Sequence, residues 1–199
     1  METWPGGHGI VRCHDSRFGA TELNPGLGHG RFHPFRDSRD AVVPTLYGAS
    51  SLDGSLAESV FHGVPIRESK GRREIDRLDL RPMLVSTIAA RRELKLIQLH
   101  GHGLMRLKVS RTELIESAAR QYSRTVAWAA ALHAAVKEAD GMIWVSRKLD
   151  TSFSLVLFGD RVRRGDLEVI EPPVPLFLGA GFAEVQRVAE LAGITILSE

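Results

Sequence analysis

Cysteine is nearly missing from this chain, with Cys13 the only one among 199 residues. A single thiol excludes an intramolecular disulfide framework and any zinc site built on several cysteines, and it fits a reducing compartment. Long apolar runs are lacking as well. The longest extends from Val126 to Leu132, far short of the ~20 residues that a membrane-spanning helix requires. The start, Met1-Glu2-Thr3-Trp4-Pro5, shows no basic segment followed by an apolar one, so neither export nor membrane insertion is expected and the expected location is cytoplasmic. Neither sign of charge dominates. The 26 Lys and Arg against 24 Asp and Glu leave a formal +2, compatible with an anionic ligand but too little for direct nucleic-acid binding. The glycine-rich stretches Gly26-Leu27-Gly28-His29-Gly30 and Gly179-Ala180-Gly181 lack both the G-x-G-x-x-G spacing and a Walker lysine, which disfavours Rossmann and P-loop enzymes. His100-x-His102 would set two imidazoles on one side of an extended segment, and His29 and His33 lie four apart, but neither pair has a third ligand at metal-site spacing; no metal is expected. Cys13 and His14 alternate along a strand and face opposite ways, so they do not make a catalytic dyad.

A hydrophobic content of 43% suffices for the core of one domain, and two full domains are not expected in this length. Residues 1–40 are rich in Gly, Pro, His and Arg; beyond a short strand at Gly9 to His14 they read as an ordered loop whose Phe18, Phe32 and Phe35 need burial. The segment Val42 to Ala49 reads as a strand that Pro44 confines to an edge or to the strand start. Ser50 with Asp53 then reads as the N-cap and acidic N3 of a helix carrying Leu56, Ala57, Val60 and Phe61 on one face, stopped by Gly63 and Pro65. The dense charges of Glu68 to Arg81 suggest a solvated connection. Strands are expected at Leu84–Ala90 and Leu94–Leu99, joined by Arg91-Arg92-Glu93. Ser110-Arg111-Thr112-Glu113 is a capping box. Trp128, Leu132, Ala135, Val136 and Ala139 form the stripe of a longer helix that Asp140-Gly141 ends. Strands at Met142–Val145 and Phe153–Phe158 flank a polar loop, Ser146 to Ser152. A strand at Leu167–Ile170, a Pro-rich turn, a helix from Phe182 to Ala192 closed by Gly193 and a strand at Ile194–Leu197 complete the chain. Short strands outnumber helices without regular alternation, which predicts a single α+β domain.

The remaining polar candidates are scattered: Arg12, Arg31, Tyr47, Glu58 and Ser146. On a helical wheel of ~100° per residue, Glu58 falls ~60° beyond the edge of the apolar arc, at the rim of the core. A cleft carboxylate belongs there, and so does a solvated surface glutamate; either buries little, so Glu58→Gln is expected to leave stability nearly unchanged.

The blocks Val11-Arg12-Cys13-His14, Gly30-Arg31-Phe32-His33-Pro34-Phe35, Pro44 through Ser51, Leu56-Ala57-Glu58, Trp144-Val145-Ser146-Arg147 and Leu155-Val156-Leu157-Phe158 follow one another in the order found in RES-domain proteins. The resemblance covers roughly residues 10–160 and departs from some relatives at Cys13, where they carry an aromatic residue. It implies a RES domain at 10–160 between an N-terminal extension, 1–9, and a strand-helix-strand tail, 161–199, packed on the same domain. It also implies a fold like that of ADP-ribosyltransferases, with short mixed or antiparallel strands and several helices. The implied activity is that of a toxin from a RES/Xre toxin–antitoxin pair, using NAD+ as substrate by hydrolysis or phosphorolysis of the nicotinamide–ribose bond. Transfer of ADP-ribose to a protein acceptor, or a non-catalytic protein-binding module, are the alternatives. The implied partner is an Xre-type helix-turn-helix antitoxin. Carried over, Arg12 and Arg31 match the family arginines and could clamp the pyrophosphate. Tyr47 could stack on nicotinamide, Glu58 could stabilise positive charge on the ribose, and Ser146 could orient Glu58 or the ribose.

Overall fold

In the computed structural model, which describes residues 1–197, the chain runs β1 (Glu2–Trp4), β2 (Gly9–Asp15), β3 (Thr45–Ala49), α1 (Leu52–Glu58), β4 (Glu74–Asp76), β5 (Met83–Ala90), β6 (Leu94–Gln98), α2 (His102–Leu107), α3 (Arg111–Leu114), α4 (Tyr122–Ala135), β7 (Gly141–Val145), β8 (Phe153–Phe158), β9 (Leu167–Pro175), α5 (Gly179–Ala192) and β10 (Thr195–Leu197). One curled mixed sheet has the order β1-β6-β7-β8-β3-β2-β5-β9, with β6 and β7 parallel and every other neighbouring pair antiparallel. β4 and β10 form a separate parallel pair. The fold is thus α+β, as expected from the pattern of short strands.

The apolar runs of β7 and β8 divide between two cores because successive side chains leave opposite faces of a strand. Met142, Trp144, Val156 and Phe158 pack with Phe32, Phe35, Ala129 and Leu132 under α4. Ile143, Leu155 and Leu157 pack with Ile10, Leu46, Ile88 and Leu96 inside the curl. A third core joins α1 and α5 to the other half of the sheet through Leu56, Leu80, Leu176, Val185 and Val188.

Several sequence expectations shift. Ser51, not Ser50, caps α1, accepting a hydrogen bond from the Gly54 N–H, because the Ser50 hydroxyl is already taken by the N–H of Phe153 in β8. Helix α4 ends at Ala135; Val136 and Ala139 lie in the turn beyond it, so the apolar stripe outlasts the helix. The Pro-rich segment is strand rather than turn. β9 runs through Pro172 and Pro173 to Pro175, which an edge strand tolerates because one row of its N–H groups needs no partner, and its pairing with β5 is irregular there. The charged connection at 68–81 contains β4, paired with β10, and a one-turn 3-10 helix capped by Asp76. His100 follows β6 and His102 opens α2, so the two do not share an extended segment.

β5 and β6 do not pair with each other; the turn between them is tied instead to the start of β7. Asp140, 6% exposed, accepts two hydrogen bonds from Arg92, at 2.9 and 2.6 Å, and one from the Lys95 N–H at 2.8 Å. Removing the carboxylate takes away the partner of the part-buried Lys95 N–H and of both Arg92 bonds. Asp140→Ala is expected to lower stability by ~2 kcal/mol, measured as a reduced urea midpoint with an unchanged slope.

Candidate active site

β2 and β3 pair at Val11 opposite Ala49, and the ladder does not continue toward Cys13 and Tyr47. The Cys13 N–H donates instead to the Ser55 hydroxyl of α1 at 3.0 Å. A cavity of about 350 Å³ opens in this gap, walled by Cys13, Tyr47, Gly48 and Ala49 from the parted strands, and by Ser55, Glu58 and His62 from α1 and its turn. Arg31, Tyr122, Trp144 and Ser154 close it from other elements. Its size suits part of a small organic ligand. A second cavity of about 400 Å³ shares Cys13 and Tyr47 and continues past Arg12 and Thr45. The hydroxyls of Ser154, on the first wall, and Thr45, on the second, are buried without a hydrogen-bond partner among the described residues.

Glu58 ends α1 and meets the loop that follows β7. Its Oε1 accepts from the Ser146 hydroxyl at 2.6 Å, the Arg147 N–H at 2.7 Å and the Lys148 N–H at 3.3 Å. Burial by itself would raise the pKa of this carboxyl, but hydrogen bonding and the nearby His62 outweigh it and hold the group at about 2. His62 Nδ1 stands 3.7 Å from Oε2, a close charge neighbour rather than a hydrogen-bond partner. The side chain is 21% exposed. Glu58 is therefore a largely buried, ionised carboxylate and not a solvated rim residue, which overturns the expectation that its replacement would leave stability unchanged.

Ser146 is fully buried behind Glu58 and off the cavity wall. Its hydroxyl donates to Glu58 and accepts from the Lys148 and Leu149 N–H groups, at 3.1 and 3.0 Å, so its hydrogen-bonding capacity is spent on the loop. Arg31 lies on the wall. Its Nη1 donates to Ser117 Oγ at 2.7 Å and to the carbonyls of Ser117 and Leu114, and the guanidinium rests 5.3 Å from the Tyr122 ring centroid. Among the described residues, Nε and Nη2 of Arg31 make no hydrogen bond. Tyr47 presents its ring to the cavity, while its hydroxyl accepts from the Phe32 N–H at 3.0 Å; burial raises its pKa, so it stays protonated.

Arg12 is elsewhere. It borders the second cavity, where Nη1 donates to the carbonyls of Ala20 and Glu22, each at 2.7 Å, and desolvation brings its pKa down to about 10. Arg31, Tyr47 and Glu58 thus meet at one cavity, Ser146 supports Glu58 from behind, and Arg12 fastens a neighbouring loop.

Sequence reasoning missed His62, Tyr122, Trp144 and Ser154. For His62 a signal existed, since it lies four residues after Glu58 and so on the same helical side. Tyr122, Trp144 and Ser154 arrive from distant elements and carry no local mark. Cys13 sits in the wall as a small residue, with burial pushing its thiol pKa up. His100 contacts Glu2 at 2.7 Å, and His33 lies 3.3 Å from the Tyr47 hydroxyl. Among the described residues no three or more His, Cys, Asp or Glu side chains are placed to hold a metal ion, and no helix is long and apolar enough to cross a membrane.

A family model described as RES domain matches residues 9–178. Among solved structures, a chain in the crystal structure of the M. tuberculosis MbcT–MbcA toxin–antitoxin complex is similar in fold, with a TM-score of 0.63 and 16% identity over 94% of this chain and 92% of that one. No curated protein sequence matches the chain.

The ionised state of Glu58 makes stability depend on pH. Its carboxyl titrates at about 2 in the fold against 4.5 ordinarily. A folded pKa below the unfolded one gives stabilisation that is complete above ~4.5 and is lost as pH falls toward ~2, on the order of 3 kcal/mol in all. Urea denaturation of the wild type and Glu58→Gln should therefore show a stability gap that is wide at about pH 6 and narrows by about pH 2.5. A gap of constant size would mean that Glu58 is not ionised against these donors.

Proposed function

The chain belongs to the RES domain family, and from that premise we propose that it is the toxin of a toxin–antitoxin pair, an enzyme that cleaves the nicotinamide–ribose bond of NAD+. The observation that carries the reading is Glu58: an ionised, mostly buried carboxylate with one oxygen bound to the protein and the other left at a cavity that Arg31 and Tyr47 also line.

The chemistry asks for that arrangement. As the bond from C1′ to the pyridinium nitrogen breaks, its electron pair leaves with neutral nicotinamide and positive charge spreads over C1′ and the ring oxygen. A lone pair of the acceptor then bonds to C1′ and the acceptor gives up a proton. A fixed carboxylate beside the ribose stabilises this charge and accepts a hydrogen bond from a ribose hydroxyl, as carboxylates do in glycoside hydrolysis. Because its position is set before substrate arrives, little reorganisation is needed at the transition state. Ser146 and the N–H groups of Arg147 and Lys148 do the setting, so Ser146 acts as a positioning residue.

Arg31 is the better candidate for the phosphate clamp, since it lines the same cavity as Glu58 and its Nε and Nη2 make no hydrogen bond among the described residues. Arg12 also donates through Nη1, to loop carbonyls, but it lines the second cavity and not the one that holds Glu58. The Tyr47 ring offers a flat wall for nicotinamide. Water, inorganic phosphate and a protein side chain are the acceptor classes, and the products distinguish them. Control is assigned to an Xre-type antitoxin in the cytoplasm, a reading supported by the family and by the similar fold found in a toxin–antitoxin complex.

Purified protein without added metal is expected to release nicotinamide from NAD+, with chromatography separating ADP-ribose from its phosphorylated form. No release in water, phosphate or cell extract would end the enzyme reading. Glu58→Gln keeps size and one acceptor oxygen but loses the charge, so turnover should drop by on the order of a hundredfold or more. Arg31→Ala should first weaken NAD+ affinity by calorimetry; thermal melts control for its lost bonds to Leu114 and Ser117. In cells, expression alone should arrest growth and coexpression of the neighbouring antitoxin should restore it. Harmless accumulation of active protein would remove the toxin role.

A further inference from the structure

The oxygen of Glu58 that the loop leaves free has a neighbour of its own. Oε1 carries the three donors from Ser146, Arg147 and Lys148, while Oε2 faces His62 Nδ1 at 3.7 Å. His62 sits on the turn that prolongs α1, where the Phe61 N–H still donates to the Leu56 carbonyl and the His62 N–H to that of Ser59. Its ring borders the cavity and its side chain is 41% exposed, yet Nδ1 itself is buried and has no hydrogen-bond partner among the described residues.

A ring nitrogen shielded from water, beside a carboxylate but not bonded to it, can exist in two relations to that carboxylate. With the ring neutral and its proton on Nε2, Nδ1 offers a lone pair and no proton, so it has nothing to donate to Oε2 at 3.7 Å. A proton on Nδ1 reverses the sign, because a charge-assisted N–H···O bond closes to ~2.7–2.9 Å. The movement needed is under about one ångström.

We infer that His62 is a positioning residue that competes with substrate for the free oxygen of Glu58. Neutral, it stands off and leaves Oε2 to a hydroxyl of the ligand; protonated, it closes on Oε2 and withdraws that oxygen from the cleft. The inference rests on the reading of Glu58 as the carboxylate that meets the ribose. Other ionisable groups face the same space: Cys13 of β2, Tyr122 of α4, Arg31, His29 and His33 of the long loop, and Arg147 and Lys148 behind Glu58. Burial lowers the His33 pKa and raises that of Cys13, which keeps both neutral near pH 7. A guanidinium does not lose its proton in this pH range, and burial lowers the Lys148 pKa. His29 is the remaining imidazole on the wall and stays in place when His62 alone is replaced.

Competition of this kind acts on substrate affinity and not on the bound complex. Rates of nicotinamide release measured from pH ~8 to ~5, the range in which histidines change charge, should show KM for NAD+ rising on the order of tenfold toward acid while kcat stays nearly level. In His62→Gln the acid rise of KM should vanish. An equal rise in His62→Gln overturns the inference. If no NAD+ is consumed at any pH, the functional reading fails, and the pairing is judged without turnover. By NMR the His62 ring should lose its proton at lower pH in Glu58→Gln than in wild type, and equal midpoints overturn the inference on that evidence alone.

Discussion

The parting of β2 from β3 beyond Val11 and Ala49 is the constraint on which the site depends. Two strands that separate expose backbone donors, and each needs a partner where water is scarce. α1 fills that need from the side, supplying the Ser55 hydroxyl to the Cys13 N–H. Gly48 lets the strands stay close where they do meet, since a Cβ there would lie 2.3 Å from Ile10 Cγ2. The helix that closes the gap brings Glu58 to the cavity mouth, so the device that satisfies the open ladder also delivers the carboxylate.

The loop from Ser146 to Ser152 and helix α1 hold each other at both ends. At one end Ser146, Arg147 and Lys148 grip Glu58. At the other, the Ser51 cap donates to the Ser152 hydroxyl at 2.9 Å, and Gly54 approaches so closely that a Cβ would meet Ser152 Oγ at 1.9 Å. A seven-residue helix has little stability of its own. This double attachment, with Leu56 buried in the third core, is what orders it. Keeping a carboxylate ionised away from water costs several kcal/mol unless donors replace the lost hydration, and here they act on one oxygen only. The asymmetry leaves the second oxygen responsive to its surroundings.

Elements with strong local signals were legible in sequence. The capping box at Ser110 and Glu113 and the left-handed Gly193 that ends α5 form as their residues dictate. Boundaries failed where a distant group competed for the same atom. Ser50 has the composition of an N-cap, but a strand more than a hundred residues away in sequence takes its hydroxyl, and the cap moves to Ser51. The prolines of β9 suggest a turn until the edge position of that strand is known.

Residue types and their order by themselves determined the α+β class, the family, and the polar side chains that merited attention, because periodicity, turn chemistry and motif order are properties of neighbouring residues. Only the tertiary structure decided what those side chains do. Arg12 and Arg31 look alike in sequence and both bind carbonyls through Nη1, yet only Arg31 lines the cavity that Glu58 lines. Ser146 is committed to Glu58 and its own loop, and His62 becomes relevant because of which carboxylate oxygen is left over. Hydrogen-bond capacity and desolvation are assigned by neighbours remote in the chain, and no local pattern records them.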